Sequence, residues 1–225
     1  MIVWSALSIL VLGCAVTSTP TPSPAGAAGV RYVALGDSYT IGTSAELEER
    51  FPNQLVERLK GKVELELVAN LGVNGYSSQD LIDFELPDLA ELNPEFVTVL
   101  IGVNDVVRGV RSDNYRANVD VILDDLLDRL PANRIVVVSV PDYTRTSYGA
   151  AFGDPAQQRA EIANFNEIMR GAAQRREISF VDISSVADRV GTENGLVADD
   201  GLHPSGRQYA GWVDLITPVV EGLFE

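Results

Sequence analysis

Three residues of this chain have the types and spacing for proton-coupled nucleophilic chemistry: Ser38 in "LGDSYTIGT", with Asp200 and His203 in "DDGLHPS". His203 is the sole histidine among 225 residues, so any mechanism that needs an imidazole base must use it. Asp200 stands three residues earlier, an interval that one turn uses to set a carboxylate against the near imidazole nitrogen. That carboxylate would fix the tautomer and stabilise the imidazolium formed when the far nitrogen takes a serine proton. A serine hydroxyl is a poor nucleophile without such a base, which makes Ser38 the candidate nucleophile. Asp199 offers a second acid, but only Asp200 keeps the D-x-x-H interval.

Attack by serine creates an oxyanion that needs donors aimed at it. The candidates are the backbone N–H of Ser38, the N–H of Gly75 in "NLGVNGYSS" and the side-chain amide of Asn104 in "GVND". Glycine lets a backbone come close, and a carboxamide donates without a charge that competes with the base. Gly72 is the fallback for Gly75. Each residue also has a plainer use. Ser38 suits a helix cap, and Asn104 with Asp105 suits a turn held by side-chain-to-backbone hydrogen bonds.

These residues need a scaffold that brings them to one edge. From Val30 onward, the short apolar runs "VRYVAL", "VELELVA", "EFVTVLI", "RIVVVSV" and "ISFVDI" alternate with helix-period segments. That alternation predicts an α/β fold, a doubly wound sheet of about five parallel strands between helical layers. Ligands of such sheets bind outside the carboxyl ends of the strands, where nearly every polar candidate falls. In "NVDVILDDLLDRL", Val119, Ile122, Leu123, Leu126, Leu127 and Leu130 recur at helical steps and leave Asp120, Asp124, Asp125 and Asp128 facing outward. "QQRAEIANFNEIMRG" and "GRQYAGWVDLITPVVEGLF" read as further helices, the last bent or ended near Pro218. "SSQDLIDFELPDLAEL" reads as helix capped by Ser77 or Ser78 and interrupted at Pro87. The long segment "PDYTRTSYGAAFGDP" reads as a functional loop, with Tyr143, Arg145 and Tyr148 expected on one wall of the site.

Four blocks, "LGDSYT", "NLGVNGYSS", "IGVNDV" and "DGLHPS", in this order and each after its strand, resemble those of the SGNH hydrolases, also called the GDSL family. The resemblance runs from about Val30 to the C-terminus. It implies a three-layer α/β/α sandwich of flavodoxin-like topology and a serine esterase. It also implies Ser38 as nucleophile, His203 and Asp200 as base and orienting acid, and an oxyanion hole from Ser38, Gly75 and Asn104. Tyr39 stands where the family's motif has leucine, and Asn74 where a serine commonly precedes the functional glycine. The implied partners are small-molecule, lipid or acetylated-glycan esters, with no cofactor. An acyltransferase, a non-catalytic flavodoxin-like module holding a phosphate at Ser38, Thr40, Gly42 and Thr43, and a carbohydrate- or lipid-binding protein on the same fold are the alternatives.

Composition narrows the partners. Asp and Glu outnumber Lys and Arg by 32 to 17, a formal charge of −15, which argues against nucleic acid. One histidine and one cysteine do not supply the usual zinc set. Residues 1–13 are uncharged and largely apolar but short of the roughly 20 needed to span a bilayer, as expected of a signal peptide. "VLGC" resembles the lipobox of bacterial lipoproteins, which makes Cys14 a lipidation candidate and residues 14–29 a Pro-, Thr- and Ser-containing spacer. The chain is then expected to be exported and anchored at the outer face of the cytoplasmic membrane. Cleavage near Ala25 to Ala27 would instead give a secreted protein. Residues 30–225 form the expected hydrolase domain.

Overall fold

The computed structural model describes Met1 and residues 29–225. The expected leader, Cys14 and the spacer as far as residue 28 lie outside the described residues. Five strands form one parallel sheet: β1 (Val30–Gly36), β2 (Leu65–Asn70), β3 (Phe96–Leu100), β4 (Ile135–Val138) and β5 (Ser179–Val181). Their order is β2-β1-β3-β4-β5. The chain reverses its direction of travel between β1 and β3, and that crevice is where such sheets hold ligands. Strands β3 and β4 are buried at every position, as apolar runs covered on both faces must be.

Helices cover both faces of the sheet. α1 (Ser38–Ile41) is a single turn after β1, and α2 (Phe51–Leu59) packs on the last helix. The segment 78–92 runs as α3 (Ser78–Asp80), a π-helical stretch (Leu81–Glu85), a 3-10 turn over Pro87 (Leu86–Asp88) and α4 (Leu89–Leu92). Ser77 caps it with Asp80 in a reciprocal capping box, and Pro87 falls at the break expected of a residue without an N–H. α5 (Val103–Val107) follows β3, α6 (Ser112–Arg129) packs on α7 (Pro155–Arg175), and α8 (Ser184–Ala187) precedes α9 (Gly206–Phe224).

Helix α6 buries Val119, Ile122, Leu123 and Leu126 as its periodicity requires. Its acidic face is less free than expected: Asp120 and Asp124 accept from Arg176, the C-cap of α7, at 2.9 and 2.7 Å. Helix α9 runs through Pro218 without ending. Burial of Trp212, Val213, Ile216 and Val220, worth roughly 1.5–3 kcal/mol per large apolar side chain, outweighs the missing hydrogen bond. Trp212 meets Tyr209 edge-on at 5.1 Å, and Tyr115 of α6 stacks on Phe165 of α7 at 4.0 Å.

Candidate active site

The turn after β1 is built around a glycine. Gly36 has φ +148°, and a Cβ there would come within 2.1 Å of the Leu100 carbonyl oxygen, so no side chain fits between the adjoining strands. Asp37 is the N-cap of α1 and its Oδ1 accepts from Tyr39 N at 2.9 Å. Ser38 is therefore the first helical residue, with a backbone N–H that has no acceptor within the helix. Its residue is 7% exposed, enough to line a pocket.

The candidate base arrives from a loop just before α9. His203 Nδ1 lies 2.6 Å from Asp200 Oδ2. The same carboxylate accepts from Ser44 Oγ at 2.7 Å and from the N–H groups of Leu202 and His203, both at 2.9 Å. Partial burial acts to raise the Asp200 pKa, but the four hydrogen bonds, led by that from His203, hold it well below the usual carboxylate range. An ionised Asp200 only accepts, so Nδ1 of His203 carries the proton and Nε2 is left with its lone pair. Asp199 is exposed and plays no part in this contact. The imidazole lies beside the Tyr39 ring, centroids 5.4 Å apart, so Tyr39 walls in the candidate base.

Gly75 lines the same pocket with φ +85°, and its carbonyl accepts from Arg108 at 2.6 Å, which holds the turn. Gly72 packs elsewhere: a Cβ there would meet Ile41 N at 2.6 Å and Asp37 O at 2.8 Å. Asn104, in α5, spends one amide hydrogen on the Tyr76 carbonyl at 2.9 Å, which orients the other. Beneath it Asp105 accepts from Ser78 N and Oγ at 2.8 and 2.5 Å, so the two neighbours divide their work between pocket and scaffold.

Ser38, Tyr39, Asn74, Gly75, Asn104 and His203 thus line one cavity of about 190 Å³, with Val103, Val107, Phe152 and Leu202 as its apolar walls. The long loop contributes Phe152 to this wall, in place of the three residues expected there. Tyr143 is buried, Arg145 is held by Asp142 and Asp188, and Tyr148 reaches the site only through its edge-on contact with Phe152.

Two supports escaped sequence reasoning. Ser44 comes from a loop 156 residues away from Asp200, and nothing in its neighbourhood marks it. Glu85 is 2% exposed and its Oε2 accepts from Gly36 N at 2.9 Å, fixing the exit of β1. A signal for Glu85 existed, since it stands four residues from both Leu81 and Leu89 and so shares their buried face. Burial, reinforced by the charge of Asp37, pushes the Glu85 carboxyl up to about 9. Burial likewise pushes Asp37 up to about 8, partly offset by the hydrogen bond from Tyr39 N.

The family model of the GDSL-like lipase/acylhydrolase family matches residues 34–210, from the end of β1 into α9 and across every residue of this pocket. The chain belongs to this family. As a member it is an ester-hydrolysing enzyme, and its three-layer sandwich matches solved relatives. An acetyl xylan esterase from Geobacillus stearothermophilus aligns with a TM-score of 0.68 at 20% identity, covering 85% of this chain and 94% of that one. An alpha/beta hydrolase enzyme from the metagenome of Lake Arreo, Spain, aligns at 0.67 and 22% identity, covering 88% and 97%. In sequence, the chain is 24% identical to an arylesterase of Vibrio mimicus over 183 residues, 81% of this chain and 84% of that protein.

Proposed function

We propose that the enzyme hydrolyses short-chain carboxylic esters through an acyl-enzyme on Ser38. The observation that carries this reading is the 2.6 Å bond from Asp200 to His203 Nδ1 in a cavity that Ser38, Gly75 and Asn104 also line. Ser38 Oγ attacks the ester carbonyl while His203 Nε2 takes its proton. The oxyanion is held by the N–H groups of Ser38 and Gly75 and by Asn104 Nδ2. Collapse expels the alcohol, to which His203 returns the proton. Water, deprotonated by the same nitrogen, then releases the acid and restores Ser38.

The acyl preference follows from size. A cavity of about 190 Å³ is small beside the roughly 300–1,000 Å³ of drug-sized ligand sites, which supports acetyl and similarly short groups over long chains. The test is turnover of p-nitrophenyl acetate, butyrate and palmitate, with mass spectrometry after a fluorophosphonate probe. The expected result is a rate that falls with chain length and one covalent adduct, on Ser38. An adduct on another residue, or full turnover by Ser38→Ala, would overturn the assignment.

A further inference from the structure

A larger cleft adjoins the catalytic pocket. Its volume is about 560 Å³, within the range of ligand sites and well above that of the cavity at Ser38. Val107 is a wall of both, and of two consecutive loop residues Phe152 lines the pocket and Gly153 the cleft. Much of the remaining lining is polar, from the N-terminal ends of two helices: Arg111, Ser112 and Asp113 at α6, and Asp154, Gln158 and Glu161 in the cap and first two turns of α7.

Gln158 is what a bare groove would lack. It is 9% exposed, lines the cleft, and its Oε1 has no hydrogen-bond partner among the described residues. A buried amide oxygen in that state lacks the donor it had in water, and a bound hydroxyl restores one. Gly153 leaves room for the carboxamide, since a Cβ there would approach Nε2 to 2.9 Å. Phe152, which walls the small pocket next to Gly153 of the cleft, stands edge-on to Tyr148, centroids 5.4 Å apart, and both rings are exposed.

The combination favours one chemistry. Carboxylates, carboxamide and guanidinium in one lining offer both acceptors and donors to vicinal hydroxyls. The exposed rings offer a face for the C–H side of a sugar. Three carboxylates against one arginine, in a chain of formal charge −15, disfavour an anionic alcohol. Resting on the serine-esterase reading above, we propose that this cleft is the alcohol-side subsite, that it takes a neutral saccharide, and that Gln158 determines its specificity. The acyl group then occupies the small cavity, and the alcohol leaves past Val107.

The experiment holds the acyl group constant and varies the alcohol. Measure kcat/KM of the full chain on mono-O-acetylated cellobiose, ethyl acetate and p-nitrophenyl acetate. The expected wild-type preference for the acetylated disaccharide over ethyl acetate is at least tenfold. Gln158→Leu should cut that ratio about tenfold, through KM. Gln157→Trp, at an exposed position that lines the same cleft, should cut it without disturbing buried side chains. Equal use of the two acetates by the wild type, or a ratio that both variants leave unchanged, would overturn the subsite. A uniform loss on all three esters in Gln158→Leu would signal damage to the fold, and Gln157→Trp then decides. If p-nitrophenyl acetate is not hydrolysed at all, the parent reading falls and takes the subsite with it. Hydrolysis of that ester with no disaccharide preference sinks the subsite alone.

Discussion

Two aspartates at the same rim live under opposite conditions. Asp37, in the turn after β1, is fully buried, with one carboxyl oxygen bonded to Tyr39 N and the other without a partner. Asp200, in the loop before α9, is partly open to solvent and accepts four hydrogen bonds. Burial makes the first a carboxylic acid at neutral pH, its pKa pushed up to about 8, whereas donors keep the second ionised. The same residue type thus supplies a buried brace under Ser38 and a charged partner for His203. Burial thus acts against charge in the turn that carries Ser38, whereas four donors favour it beside His203.

The comparison breaks most completely at His203. His203→Ala should lower kcat/KM for p-nitrophenyl acetate by about 10⁴-fold or more, with the thermal midpoint close to that of the wild type. Retention of more than a tenth of the rate would mean that another group takes the serine proton. Asp200→Asn sharpens the charged side of the contrast and should cost about 10³- to 10⁴-fold, mostly in kcat, because the amide favours the wrong imidazole tautomer. Rates within tenfold of wild type would show that Ser44 and the backbone orient the ring without a charge. Asn104→Ala should cost about 10²- to 10³-fold, the usual effect of one lost oxyanion donor. An effect below fivefold would remove it from that role.

The smallest effect lies on the buried side. A carboxyl whose folded pKa is raised binds its proton in the native state after the unfolded chain has released it. Stability therefore falls as pH rises from the ordinary carboxylate value toward about 9 for Glu85. Glu85→Gln keeps an acceptor for Gly36 N and removes this titration. It should flatten the decline in thermal midpoint between pH 5 and 9 while changing kcat by less than about threefold. An unchanged slope would mean that Glu85 is not held neutral in the native state.

Much of this was readable in one dimension. Apolar runs of strand length, spaced by amphipathic stretches, leave little choice but a parallel sheet, and the D-x-x-H interval brings acid and imidazole together within one turn. Gly75 could be preferred over Gly72 only by matching block spacing, and the packing of Gly72 against α1 gives that preference a physical basis. The long loop was harder. Its residues form no periodic pattern, so sequence could mark it as a wall without telling that Phe152, and not Tyr143 or Arg145, faces the pocket.

The sequence by itself determined the strands, their αβ alternation and the identity of the groups able to do chemistry, because these depend on side-chain type and on neighbours within a turn. Only the tertiary structure decided which distant residues complete them. Ser44 reaches Asp200 across 156 positions and Glu85 reaches Gly36 across 49, contacts that exist only once the crossovers are packed. Charge state was settled there as well. Whether an aspartate is an acid or a carboxylate depends on the water and donors around it, and those are set by the folded surroundings, not by the residue.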